Sequence, residues 1–188
     1  MRFLLNTIFL QNDLKQASQW ISDQAQDAII VTGFYIPRGN PPAAETDGPP
    51  GAAILALALE SLGIKARIVT DNHCFSAVKA AVVSCGLEPE CVTPLPNDPH
   101  AIDNWCMNEF RHETNKSTTI VIAVERVGPS HTHASIQKQT QSSPPLNSTA
   151  LIPGDTEDLI SLEDQDRCFN MRGVCIDDYT APLHRIFE

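Results

Sequence analysis

The sequence predicts an α/β domain, a Rossmann-like layered fold with a mostly parallel sheet flanked by helices, and two observations carry that prediction. Short apolar runs of strand length alternate with helix-length segments, which is the signature of βαβ units. The strand-like runs also lack a clean apolar/polar alternation, as expected of strands covered on both faces in a parallel sheet.

Each element has its own local reason. Asn12 to Ala25 places Leu14, Ala17, Trp20 and Ile21 at helical spacing among polar residues, so an amphipathic helix is predicted there. Ala28 to Tyr35 (AIIVTGFY) reads as a strand, and a Pro/Gly-rich loop runs from Ile36 to Gly48. Pro49 and Pro50 then open an Ala/Leu-rich helix over Ala52 to Leu62, closed by Gly63, because Pro suits a first helical turn and Gly the position after the last. The unit repeats with Ala66 to Thr70 as strand and Cys74 to Ser84 as helix before Gly86. A short strand near Cys91 to Leu95, a helix over Ala101 to His112 and a strand over Thr118 to Val124 (TTIVIAV) complete the series. Beyond Gly128 the composition turns rich in Ser, Thr, Gln and Pro, so a long mobile loop is expected over 130–167, with order returning near Phe169.

Composition narrows the class. A chain of 188 residues, 42% hydrophobic and 19% charged, suits one domain with a real core. The net charge of −10 and the lack of any Lys/Arg cluster argue against nucleic acid as a partner. No apolar run reaches the roughly 20 residues that span a bilayer, so a membrane partner is not expected. Six cysteines without a CxxC pair suggest reduced thiols, and a cytoplasmic or mitochondrial-matrix location is expected over a secreted one.

In open parallel sheets the ligand crevice lies outside the carboxyl ends of the strands, which singles out the residues found there. The first strand leads into Glu45-Thr46-Asp47-Gly48, the second ends at Asp71, and the last ends at Glu125-Arg126. Crowded carboxylates repel, so they must take up protons, pair with cations or hold a metal. The positive end of the helix beginning near Pro49 favours ionised Glu45 and Asp47, and with Glu125 these oxygens suit a divalent cation such as Mg²⁺ or Mn²⁺. Each residue also has a plainer role: Asp47 as a helix cap, Asp71 as a turn residue, Glu125-Arg126 as a surface pair. The pair His131/His133 sits in low-complexity sequence that suits solvated histidines. No GxGxxG, P-loop or GxSxG pattern is present.

The runs VTGFYIP (31–37), ETDGPPG (45–51) and IVTD (68–71), with AVERVG (123–128) and NMRG (170–173), resemble the D-glutamate cyclase family. The resemblance implies a lyase that closes D-glutamate to 5-oxo-D-proline with loss of water, and a small-molecule partner that is D-glutamate or a similar acidic metabolite. It also implies a domain continuing past the equivalent of Phe187 into a Gly/Asp-rich segment, so residues 1–188 are expected to form its N-terminal part. In that reading Glu45, Asp47 and Glu125 hold the metal, Asp71 or Glu125 is the base, and Arg126 steadies the developing oxyanion. Thr46, Gly48, Asn170 and Arg172 bind substrate, Arg172 through its carboxylate. A metal-dependent hydrolase of phosphatase type and a non-catalytic family member are the alternatives.

Overall fold

A computed structural model describes residues 2–110, 118–130 and 164–188, with the side chains of the first helix described from Asn12 onward. The histidines at 131 and 133 and most of the expected loop lie outside the described residues. Helix α1 (Arg2–Gln24) precedes strand β1 (Asp27–Thr32), followed by a small hairpin of β2 (Tyr35–Ile36) and β3 (Ala43–Ala44). Then come α2 (Gly48–Ser61), β4 (Lys65–Asp71), α3 (Phe75–Ser84), β5 (Val92–Leu95), α4 (Pro99–Phe110) and β6 (Thr119–Val124).

Strands β5, β4, β1 and β6 lie side by side in that order, every pair parallel, with Asp27 opposite both Lys65 and Thr119. The mixed α/β sheet flanked by helices is the layered architecture the sequence predicts. Strand β1 is central, and from Ala28 to Thr32 every residue is buried, which is why its sequence shows no alternation. It ends earlier than the apolar run suggests. Gly33 adopts φ +112, outside the reach of most L-residues, and a Cβ there would lie 2.7 Å from Thr70 Oγ1 and 2.8 Å from Cys74 Cβ. The chain therefore leaves the sheet at Gly33 and forms the β2–β3 hairpin.

One face of the sheet packs Ala28, Ile30, Ile68 and Ile120 against Ala52, Ala53, Ala56 and Leu59 of α2 and Val78 and Val82 of α3. The other packs Ile29, Val31 and Val69 against Ile102 of α4 and against Ala181, Leu183 and Ile186. The C-terminal segment is thus part of the second core. Among the described residues no helix is long and apolar enough to cross a membrane. All six cysteines are free thiols. Burial pushes the Cys74 thiol up to about 12 and the Cys168 thiol up to about 11, so both are core groups and not nucleophiles at neutral pH.

Candidate metal centre at the strand ends

From β1 the chain crosses to β4 and β5 on one side and then returns to place β6 on the other. The connections diverge between β1 and β6, and a crevice at their carboxyl ends is the expected ligand position in such sheets. Three carboxylates meet there. Glu45, Asp47 and Glu125 each offer an oxygen, and these oxygens lie within 4.8 Å of one another.

Different elements deliver them. The Glu45 N–H donates to Phe34 O at 2.7 Å, closing the hairpin so that Glu45 returns to the end of β1. Asp47 is the N-cap of α2, and its Oδ1 accepts from the Gly48 N–H at 3.1 Å. Capping and ligation therefore do not compete here, since one carboxylate oxygen caps while the group stays in the cluster. The amides at this helix start are largely committed or missing. Pro49 and Pro50 have no N–H, the Gly51 N–H donates to Asp47 O, and the Gly48 N–H is taken by Asp47.

Glu125 follows β6 with φ +47, in the left-handed region, a conformation that costs a non-glycine residue about 1–3 kcal/mol. Its side chain leans on the start of α2: a Cβ on Gly48 would lie 2.7 Å from Glu125 Cβ and 3.1 Å from Thr32 Oγ1. Gly48 therefore has a geometric job, since any side chain there separates the helix from Glu125. Burial, helped by the charges of Asp47 and Glu125, holds the Glu45 carboxyl above its ordinary range. The cluster is thus one in which negative charge is crowded and a cation would relieve it. Its donor set, all carboxylate oxygen, fits a hard divalent ion.

Asp71 is not placed as the expected base, because it is paired with Arg126. Their side chains are 2% and 3% exposed and form an ion pair of 2.6 Å. Asp71 Oδ1 also accepts from the Cys74 N–H at 2.9 Å, so both its oxygens are committed. Arg126 donates further to Gly33 O at 2.8 Å and, through its other terminal nitrogen, to Ala181 O at 2.6 Å. A carboxylate so buried and paired has no free lone pair facing a substrate.

Asn170 and Arg172 belong to a turn closed by the Phe169–Cys175 bridge. Asn170 Oδ1 accepts from the N–H groups of Arg172 and Val174 at 2.9 and 3.0 Å, so Asn170 shapes the turn while Arg172 is exposed on it. Thr46 is exposed between Glu45 and Asp47.

The structure adds residues that the sequence did not single out. Phe34, Ala123, Glu125, Arg126 and Val127 line an open depression of about 340 Å³ beside the cluster. Thr32 Oγ1, Thr70 Oγ1, Arg126 Nε and His184 Nδ1 are buried without a partner among the described residues, the first three at or near the ends of β1, β4 and β6. Thr32 had a readable signal, being a polar residue at the end of an otherwise apolar run. His184 had none, because its short 3-10 turn carries no periodicity.

An α/β chain with a carboxylate cluster at the switch point of a parallel sheet is the class that fold and site define. A family model described as D-glutamate cyclase-like, C-terminal, matches residues 4–142. The chain belongs to that family. No curated protein and no solved structure matches it.

Proposed function

We propose that this chain carries a lyase site of the D-glutamate cyclase type, which closes D-glutamate to 5-oxo-D-proline with loss of water. The observation that carries the reading is the meeting of Glu45, Asp47 and Glu125 at the β1/β6 switch point of a chain from this family. In the reaction the amine attacks the side-chain carboxyl carbon and a C–N bond forms. A carboxyl oxygen leaves as water with the two protons that the ammonium group gives up.

The substrate's own negative charge opposes that attack. Glu45, Asp47 and Glu125 would hold a divalent ion, Mg²⁺ or Mn²⁺, which when bound neutralises the reacting carboxylate and raises its electrophilicity. Glu125, exposed at the crevice, is fitted to take a proton from the amine through an oxygen left free of the ion. Asp71 is withdrawn from that role by its pairing with Arg126. Arg126 Nε, buried and unpartnered beside the depression, supports a donor role toward an anionic oxygen. Thr46 and the close approach of Gly48 shape the wall of the crevice, and exposed Arg172 is suited to the α-carboxylate.

Incubating the chain with D-glutamate, and separately with 5-oxo-D-proline, with Mn²⁺, Mg²⁺ or a chelator tests this reading. Interconversion that the chelator stops and that Asp47→Asn removes is the expected result. No conversion in either direction with either ion overturns it, and phosphate release from a panel of esters in the same preparation assigns the hydrolase reading instead.

A further inference from the structure

Arg126 spans the sheet. It follows β6, yet its guanidinium reaches Gly33 O just past β1 and Asp71 Oδ2 at the end of β4. In the order β4-β1-β6 that is two strand spacings, on the order of 10 Å. An extended chain at the end of β6 would send successive side chains to opposite faces of the sheet. The arginine instead lies across the top of the sheet, and the chain bends to allow it at Glu125, the residue with φ +47. That bend carries the Glu125 side chain against Gly48 and toward Glu45 and Asp47.

Nothing local favours the left-handed conformation at Glu125. Gly, Asn and Asp are the residues that enter it readily, and a glutamate does so only where its surroundings hold it. The holding contacts are those of the next residue: an ion pair and two backbone carbonyls from three separate segments. One of those segments, at Ala181, lies outside the residues matched by the family model. It is anchored independently by Asn97 Nδ2 on Asp177 O at 2.6 Å and by the two-pronged Arg185–Asp103 pair at 2.7 and 2.8 Å. Tyr179 adds a stacked contact to Tyr35, with ring centroids 6.0 Å apart.

We propose that Asp71 and Arg126 are positioning residues, whose buried pair, braced on Gly33 and Ala181, aims Glu125 at Glu45 and Asp47 and so assembles the cation site. The inference rests on the reading of those three carboxylates as cation ligands. It assigns Asp71 a function through Glu125 and none through contact with substrate. It also makes residues 177–186 part of the site's support, because Ala181 O is one of the brace points.

The test is a double-mutant cycle on Mn²⁺ affinity, measured by titration calorimetry on the full chain. Asp71→Asn keeps the shape of the side chain and the acceptor for the Cys74 N–H, and circular dichroism reports whether the chain remains folded. In folded protein Asp71→Asn is expected to weaken Mn²⁺ binding by tenfold or more with all three ligands intact. In a Glu125→Asn background, where the aimed ligand is gone and asparagine tolerates the left-handed bend, the same substitution is expected to change affinity less than twofold. Arg126→Lys, which keeps the charge but not the fork that reaches several acceptors, is expected to behave like Asp71→Asn and gives a second route should the first fail to fold. Unchanged affinity in both folded variants, or equal losses with and without Glu125, overturns the positioning role and leaves the cation site standing. Absence of Mn²⁺ binding by the unsubstituted chain overturns both.

Discussion

Glu125 shows how a single residue can be set against its own preference. Its left-handed backbone and its crowding by Glu45 and Asp47 both oppose stability, and both serve to bring a third oxygen into the cluster. Glu125→Asn removes the carboxylate charge and supplies a residue that accepts positive φ. Its expected outcome is a melting temperature equal to or above that of the unsubstituted chain in metal-free buffer, with a smaller Mn²⁺-induced stabilisation. Calorimetric melting with and without Mn²⁺ checks both halves. The carboxylate cluster was legible in the sequence because acidic residues stood where strand-like runs led. The burial of Asp71 was not, since a terminal strand residue followed by Asn72 and His73 reads the same whether it faces solvent or an arginine from 55 positions away.

At the level of elements, most strands and helices were legible, although α1 begins at Arg2 and not at the expected Asn12, and the other departures have local causes. The strand beginning at Ala28 stops at Thr32 because Gly33 turns, and α2 begins at Gly48, before its prolines, because Asp47 caps there. The β2–β3 hairpin was hidden inside a Pro/Gly-rich stretch, where two-residue strands leave no alternation to read. The start of α2 yields a prediction that separates helix propensity from fit. Alanine is the better helix former, so Gly48→Ala would stabilise an isolated helix by roughly 1 kcal/mol. Here the new methyl meets Glu125 Cβ at 2.7 Å, and overpacking of that kind costs about 1–3 kcal/mol. Urea unfolding is expected to show net destabilisation, and Mn²⁺ affinity is expected to fall because Glu125 is displaced. A stabilised variant with unaltered affinity would mean that Glu125 does not rest on this helix.

The whole molecule is held together by a segment whose role the sequence did not disclose. Residues 164–188 lack helical or strand periodicity, yet Ala181, Leu183 and Ile186 are buried against Ile29, Val31 and Ile102. Three apolar side chains among charges give no period, so only the fold reveals that the second face of the sheet needs them. Leu183 is fully buried, and Leu183→Ala is expected to cost about 2–5 kcal/mol by leaving a cavity, read as a lowered urea midpoint at unchanged slope.

The same segment should make stability depend on pH through His184. Burial lowers its proton affinity below the ordinary 6.5, with Arg185 and Arg126 acting in the same direction and Glu188 and Asp166 opposing them. Its Nδ1 has no partner among the described residues, and its Cβ packs against Gly128, 3.6 Å from where a side chain would begin. A histidine whose folded value is depressed binds its proton more readily in the unfolded chain, so the unfolded state holds more protons below 6.5. Stability is therefore expected to decline as pH falls from 6.5 toward the depressed value and to be independent of this group above 6.5. His184→Asn removes the titration while keeping a polar side chain, so its stability relative to the unsubstituted chain should rise as pH falls through that window. The other histidines are present in both proteins and cancel in the difference. Parallel stability curves from pH 7.5 to 5 would show that His184 is solvated and that the C-terminal segment does not seal it against the sheet.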